Sequence, residues 1–197
     1  MFKIALYLLI LVILAIFLLP FFYTVSPYEL NPLKILQAPS FEHLFGTDRL
    51  GRDVLARVLE GGQTSLVIGF LAASISSIIG LFIGITAGYF KGNIDRTITI
   101  MIDLFLTFPT FFLLLALVSY IQASSVILII VISITGWMGM SRMIRSESFA
   151  ISNRPFIKIL KLSNVSTFKI IFKYFAPLLA PIFLISFTFG VGGSILA

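Results

Sequence analysis

The sequence predicts an all-α membrane protein, a polytopic helical bundle, and three observations carry that prediction. Hydrophobic residues fill 59% of its 197 positions, more than a soluble domain of this length covers with polar surface. Apolar runs near the 20 residues needed to cross a bilayer recur along the chain. Basic residues gather in one late segment, the kind of bias that sets membrane orientation. The chain has no cysteine, which excludes disulfides, thiolate metal sites and cysteine nucleophiles. Its one histidine, His43, excludes a multi-histidine metal cluster. The net charge of +6 is read as a record of topology and not as a nucleic-acid surface.

The first predicted span runs from Ile4 to Tyr23 behind a single basic residue, Lys3. Its length, and the lack of a small-x-small site in "LLPFFYTVSP", favour a retained signal-anchor helix over residues 1–23 in place of a cleaved signal peptide. A polar segment follows over residues 24–63. The spacing of Leu50, Val54, Leu55 and Val58 predicts an amphipathic helix lying in the membrane interface, started by a Thr47 or Asp48 cap and supported by an Asp53–Arg57 pair. Gly61-Gly62 is expected to break it before Gln63, Thr64 and Ser65 enter the bilayer.

Residues 64–197 form the predicted membrane domain. Its spans are Leu66–Phe90, Ile98–Ile121, Val126–Met140 and Ala176–Ala197, which with the first makes five. Gly80, Gly84 and Gly88 stand four apart and predict a helix-packing seam, its partner helix undetermined. Asp103 is the one ionisable residue clearly inside a predicted span; pairing with Arg96, Arg142 or Arg145 stands beside substrate contact as its role. Pro109 predicts a kink in the third span. Tyr120 and Trp137 read as packing or interfacial-belt residues, and the phenylalanines as lipid-facing bulk.

Orientation follows from charge. Between Arg142 and Lys173 seven basic residues face Glu147 alone, so this loop is expected in the cytosol. Counting back places residues 24–63 outside and the N-terminus inside. Within the loop, "NRPFIKILKLSNVSTFKIIFKYFAP" predicts a short helix with a stripe of Phe156, Ile159 and Leu160 flanked by Lys158 and Lys161. Asn164 then stops it and Ser166 caps a second helix. Adhesion of such a loop to anionic headgroups and docking on a protein partner both remain open on this pattern.

"HLFGTDRLGRD", His43 to Asp53, holds five charged or titratable side chains in an otherwise apolar chain. A catalytic reading of the stretch would use His43, Asp48 and Asp53 as acid–base partners. Their spacing gives no reason to place them together, and solvation at a headgroup surface accounts for them, so no enzymatic activity is predicted. The stretch instead resembles the segment H-P-L-G-T-D-x-x-G-R-D of permease subunits in bacterial ABC importers of the dipeptide, oligopeptide and nickel class. His43, Gly46, Thr47, Asp48, Gly51, Arg52, Asp53, Arg57, Gly61 and Ser65 fall in register with it. "AGYFKGNIDRTITIMIDLFLTFPTFFLLLAL", "TGWMGMSRMIRSE" and "FGVGGSILA" extend the likeness to Ala197.

The resemblance implies a multi-pass permease of the bacterial inner membrane that forms a translocation pathway with a second permease subunit. Two cytoplasmic ABC ATPases would bind the ATP and magnesium, so this chain would bind no cofactor itself. An extracytoplasmic solute-binding protein would deliver substrate; the remaining contact is with membrane lipid, and no nucleic acid is involved. The loop 142–175 would be the ATPase-coupling element, with Pro155, Phe156, Lys158, Ile159, Leu160, Asn164 and Pro177 as its site residues. Aligned to the family pattern E-A-A-x3-G, the glutamate falls on Lys158, the alanines on Ile159 and Leu160, and the glycine on Asn164, while the downstream proline is matched by Pro177. The family carries six spans where five are expected here, which points to a truncated product, an incomplete sequence or a degenerate gene. A lipid-bound scaffold without an ATPase, and a channel or carrier working without partners, are the alternatives.

Overall fold

The computed structural model describes residues 2–107, 112 and 124–196. The described residues are overwhelmingly helical and contain no β-strand, only an isolated bridge between Thr47 and Asp53. Four helical stretches are long and apolar enough to cross a membrane, Lys3–Phe21, Val54–Phe90, Ser125–Ser152 and Thr167–Leu196. The protein is an all-α, multi-pass membrane protein, as its composition predicts. The chain divides into two compact units, Met1–Val67 and Ile68–Ala197.

In the first unit, α1 (Phe2–Leu18) ends in a 3-10 turn, Leu19–Phe21, where Pro20 cannot continue the ladder. A second 3-10 turn, Pro32–Lys34, is capped by Asn31, whose side chain accepts from the Leu33 N–H. The chain then turns back through residues 43–53 into α2 (Val54–Phe90). The first turns of α2 pack on α1: Gln63 Nε2 donates to the Ile16 carbonyl at 3.0 Å, and a Cβ on Gly62 would meet Ile16 Cδ1 at 3.1 Å.

Two expectations about this region are corrected. The helix starts at Val54, so neither Thr47 nor Asp48 caps it; both belong to the turn before it. Gly61-Gly62 does not interrupt it either, and α2 runs unbroken for 37 residues. At 1.5 Å per residue that is about 55 Å, well beyond a hydrocarbon core of about 30 Å. Two glycines cost a long helix only about 1 kcal/mol each, too little to break one that continues into apolar sequence on one side and is capped on the other.

The second unit contains the rest of α2, α3 (Gly92–Thr107), α4 (Ser125–Ser152), α5 (Pro155–Leu162), α6 (Thr167–Ile170), a π-helical turn (Ile171–Phe175) and α7 (Ala176–Leu196). The described part of the third predicted span is the end of α3. Pro109 and Tyr120 lie outside the described residues. The α4 helix continues past Met140, where the span was expected to end, and carries Arg142, Arg145 and Glu147 within it. The last helical stretch begins at Thr167 and not at Ala176. Residues 142–152 and 167–175 are therefore helix, and the connecting loop is shorter than predicted. The π turn ends just before Pro177, with the Ala176 N–H donating to the Ile171 carbonyl five residues back. Proline offers no N–H and crowds the carbonyl four residues earlier, so a widened turn relieves the clash.

The glycine seam is real, and its partner is α4 of the same chain. A Cβ on Gly80 would lie 2.7 Å from Met140 Cβ, one on Gly84 2.7 Å from the Ser141 carbonyl, and one on Gly88 2.5 Å from Ser148 Cβ. Lipid offers little drive for helices to associate, so close backbone approach supplies the van der Waals contact that holds them. Asp103 pairs with Arg142, and Asp95 with Arg145, the latter a two-pronged contact that includes Nη2 to Oδ2 at 2.7 Å. Of the pairings open to Asp103, Arg142 is the one formed. Together these contacts fix α3 on α4, helped by the Phe105–Trp137 edge contact.

Candidate functional site

Two regions carry the residues singled out in the sequence. The first, residues 43–57, is a turn built around Asp48. Asp48 Oδ1 accepts from the N–H groups of Leu50 (2.8 Å) and Arg52 (3.0 Å), and Oδ2 accepts from Arg52 Nε (2.9 Å) and Arg57 Nη1. Partial burial opposes ionisation of this carboxyl, but the two N–H donors and Arg52 outweigh it and hold its pKa down at about 2. Gly46 and Gly51 have φ of +73° and +72°. A side chain there would be strained and would strike Gln37 O at 2.3 Å or Asn31 O at 1.9 Å. The Thr47 hydroxyl donates to the Lys34 carbonyl and accepts from the Gln37 N–H at 2.9 Å.

Asp53 closes this turn and is only 2% exposed. Its Oδ1 accepts from the Ala56 N–H at 2.7 Å, the bond of an N-cap on α2. Its Oδ2 accepts from Tyr23 OH at 2.7 Å and pairs with His43 Nδ1 at 2.9 Å. Burial pushes the Asp53 carboxyl up, but the Ala56, Tyr23 and His43 donors together bring it below the ordinary carboxylate value. Tyr23 is pushed up to about 12, by burial first and then by the adjoining carboxylate. His43 Nε2 faces Lys34 Nζ at 3.3 Å, and Lys34 reaches Glu42 at 2.7 Å.

The expectation that these charges lie solvated on an exposed helix is therefore overturned for His43 and Asp53, which the fold brings together. Arg57 pairs with Asp48 and not with Asp53. Tyr23, Asn31, Lys34 and Gln37 complete the cluster and were not anticipated, because their contacts with it span 8 to 30 positions and leave no local periodicity. The arrangement holds the chain at the head of α2. Among the described residues no nucleophile contacts His43, whose second ring nitrogen faces Lys34 Nζ.

The second region is the connection from α4 to α7. Pro155 sits at the first position of α5, where its fixed φ suits a helix start. Asn164 has a φ of +54° and ends the helix, the left-handed conformation that asparagine tolerates better than most residues. The Ser166 side chain accepts from the Lys169 N–H and caps α6. Helix, turn and second helix thus stand where the sequence places them.

The face of α5 does not. Ile157 is fully buried, packed with Ile151, Ile170, Phe175 and Leu179, and Leu160 lies against the same cluster. Ile159 is 62% exposed, Leu162 84%, and Phe156 also remains open. The expected stripe of Phe156, Ile159 and Leu160 is out of phase by one residue. Its i, i+3, i+4 spacing is equally met by Ile157, Leu160 and Lys161, and only contact with α4 and α6 selects between them.

One cation ties this hairpin to the end of α2, and a second ties that end to α4. Lys161 Nζ lies 3.9 Å above the Tyr89 ring at the end of α2. Burial, and then the nearby Lys91 charge, lower the Lys161 pKa. Lys91 Nζ donates to Asn153 Oδ1 at 2.6 Å and sits over Phe149, both at the end of α4. Tyr89 meets Phe175 edge-on at 5.5 Å. Pro177 follows Phe175 by two residues, just past the π turn. Lys158, the position of the family's glutamate, has no ion-pair partner among the described residues.

Comparison with known proteins identifies the family. The family described as binding-protein-dependent transport system inner membrane component matches residues 80–197. The oligopeptide transport system permease protein OppC of Mycobacterium tuberculosis is 36% identical over 186 residues, covering 88% of this chain and 64% of its own length. The dipeptide transport system permease protein DppC of Alkalihalophilus pseudofirmus is 36% identical over 186 residues, covering 94% of this chain and 60% of its own. The chain thus spans less than two thirds of the length of these relatives. The match over more than half its residues, α5 and its turn among them, places the chain in the family of binding-protein-dependent transport system inner-membrane components.

Proposed function

We propose that this chain is a permease subunit of an ATP-driven peptide importer in the bacterial inner membrane. Its N-terminus and the α5–α6 hairpin face the cytosol, and residues 24–53 face outside. It works with a second permease subunit, two ATPase subunits that hold the ATP and magnesium, and an extracytoplasmic solute-binding protein. Peptide is favoured over nickel because the similar permeases are named for oligopeptide and dipeptide transport.

The observation that carries the reading is the two-sided character of α5. One face, through Ile157 and Lys161, is anchored among α2, α4 and α6. The other presents an open ridge of Phe156, Ile159 and Leu162, an apolar surface of the kind a protein groove covers. A partner that pulls this ridge pulls the ends of α2 and α4 with it, which is how nucleotide-driven closure of the ATPases becomes alternating access between helices. At Lys158 the family's glutamate is replaced by a base, so the ATPase groove should offer an acidic residue or leave this cation in water.

The test is uptake into proteoliposomes of the assembled transporter, with Phe156–Ser166 scrambled. Loss of ATP-driven uptake with normal insertion is expected; unchanged uptake would refute the coupling role. The reading in which the hairpin only adheres to lipid draws on Phe168 and Phe172, which stack at 6.2 Å and are exposed beside Lys169 and Lys173. It predicts that no ATPase co-purifies with the chain. Uptake without ATP or partner subunits would instead identify a self-sufficient channel or carrier.

A further inference from the structure

A chamber of about 510 Å³ opens between α2, α4 and α7, within the second unit, a volume in the range of small-ligand sites. Five hydroxyls line it, those of Ser76, Ser77, Thr135, Ser186 and Ser194, and none of its described lining residues is ionisable. Ser76 and Thr135 use their hydrogens on main-chain carbonyls, and Ser186 donates to the Met143 sulfur at 3.4 Å, a weak acceptor. Ser77 is 3% exposed and, like Ser194, has no hydrogen-bond partner among the described residues. Among the described residues, the fully enclosed hydroxyls without a partner are those of Ser141, Ser148 and Ser152; the Ser77 hydroxyl instead keeps accessible surface at the chamber it lines, where a bound group could supply the missing partner.

The glycines of the wall point the same way. A Cβ on Gly139 or Gly193 would meet nothing within 4 Å, and one on Gly190 only Ala73 Cβ at 3.7 Å. Gly80, Gly84 and Gly88 are different, for there a Cβ would collide with α4. Helix contact therefore explains the seam glycines and does not explain Gly139 or Gly193, where the absent side chain leaves room.

We propose that this chamber is a transit site for the peptide backbone, with Ser77 and Ser194 as its hydrogen-bonding groups and Gly139 and Gly193 kept small to leave it open. Hydroxyls both donate and accept, so they suit successive N–H and C=O groups of a peptide in either direction. Without fixed charge the wall holds neither acidic nor basic side chains, and Met140, Met143 and Phe189 give it adaptable apolar surface. Weak, charge-indifferent binding is what a pathway needs if its cargo is to leave again. This inference rests on the importer reading above and adds the residues that touch substrate.

The test uses the assembled transporter in proteoliposomes with trialanine as probe. Ser77→Ala should raise the KM for uptake about three- to tenfold, by loss of one hydrogen bond to a buried partner. Gly193→Leu should cut uptake at least about tenfold while assembly with the ATPases is retained, and Gly61→Leu, away from the chamber, should leave uptake unchanged. Because the chain has no cysteine, Gly193→Cys gives it a single thiol, whose labelling is read on the isolated band of this subunit. A water-soluble methanethiosulfonate should modify it, and trialanine should protect it. If the wild type imports trialanine but Ser77→Ala and Gly193→Leu do so equally well, the chamber is not on the path and the importer reading stands. If Gly193→Cys is unreactive and cross-links to the second permease, a helix fills the chamber and the proposal falls. A wild type that imports no peptide overturns the importer reading and this inference with it.

Discussion

His43 Nδ1 lies 2.9 Å from Asp53 Oδ2, and the other oxygen of the same carboxylate caps α2 through the Ala56 N–H. One buried side chain thus joins the polar turn, Tyr23 just beyond the first membrane-spanning stretch, Lys3–Phe21, and the start of the longest described helix. Asp53→Ala should cost about 3 kcal/mol, because it removes a helix cap and leaves buried donors unpaired. Thermal unfolding in detergent, together with protease cleavage within residues 24–53, measures it. His43→Ala should cost less, since the cap and the Tyr23 bond survive.

Acid should loosen this segment in a defined window. The Asp48 carboxyl is held at about 2 in the folded chain against an ordinary 3.8, so its stabilising effect is complete above pH of about 4 and is lost as the pH falls towards 2. Asp53, also lowered, adds to the same acid limb. Pepsin cleavage followed from pH 5 to 2 should rise across that window, and Asp48→Asn should remove part of the dependence while raising cleavage at pH 5.

The seam predicts opposite outcomes at two glycines of one helix. Gly88→Ala places a methyl 2.5 Å from Ser148 Cβ and 2.7 Å from the Arg145 carbonyl, and should destabilise by about 1–3 kcal/mol through overpacking. Gly61→Ala meets nothing within 4 Å and should stabilise by about 0.5–1 kcal/mol through helix propensity. Melting temperatures in one detergent compare them directly.

At the hairpin, stability and coupling should separate. Ile157→Ala empties a fully buried position and should cost about 2–5 kcal/mol. Ile159→Ala, on the open ridge, should leave the melting temperature within about 1 °C yet reduce ATP-driven uptake severalfold. At the turn, Asn164→Gly should fold normally, whereas Asn164→Val, forced to a φ of +54°, should lose about 1–2 kcal/mol.

The legible parts of this molecule are those set by local chemistry. Apolar length revealed four of the five expected spans, the third lying largely outside the described residues; the four-residue repeat revealed the Gly80–Gly88 seam, and Asn164 and Ser166 marked the turn and cap between α5 and α6. Three features were not legible. The junction of His43 with Asp53 depends on a chain reversal pinned by Gly46 and Gly51, whose crowding against Gln37 and Asn31 no spacing rule conveys. The unbroken path of α2 through Gly61-Gly62 reflects cooperativity over 37 residues outweighing two weak positions. The buried face of α5 turned on a choice between two registers that fit its sequence equally well.

The proposed orientation puts the α5 ridge in the cytosol and the Asp48 turn outside. Single cysteines at Leu162 and Leu50, both exposed, can be labelled with an impermeant maleimide in right-side-out and in inverted vesicles. Leu162→Cys should react only in inverted vesicles and Leu50→Cys only in right-side-out ones. Labelling of both from the same side would contradict the account.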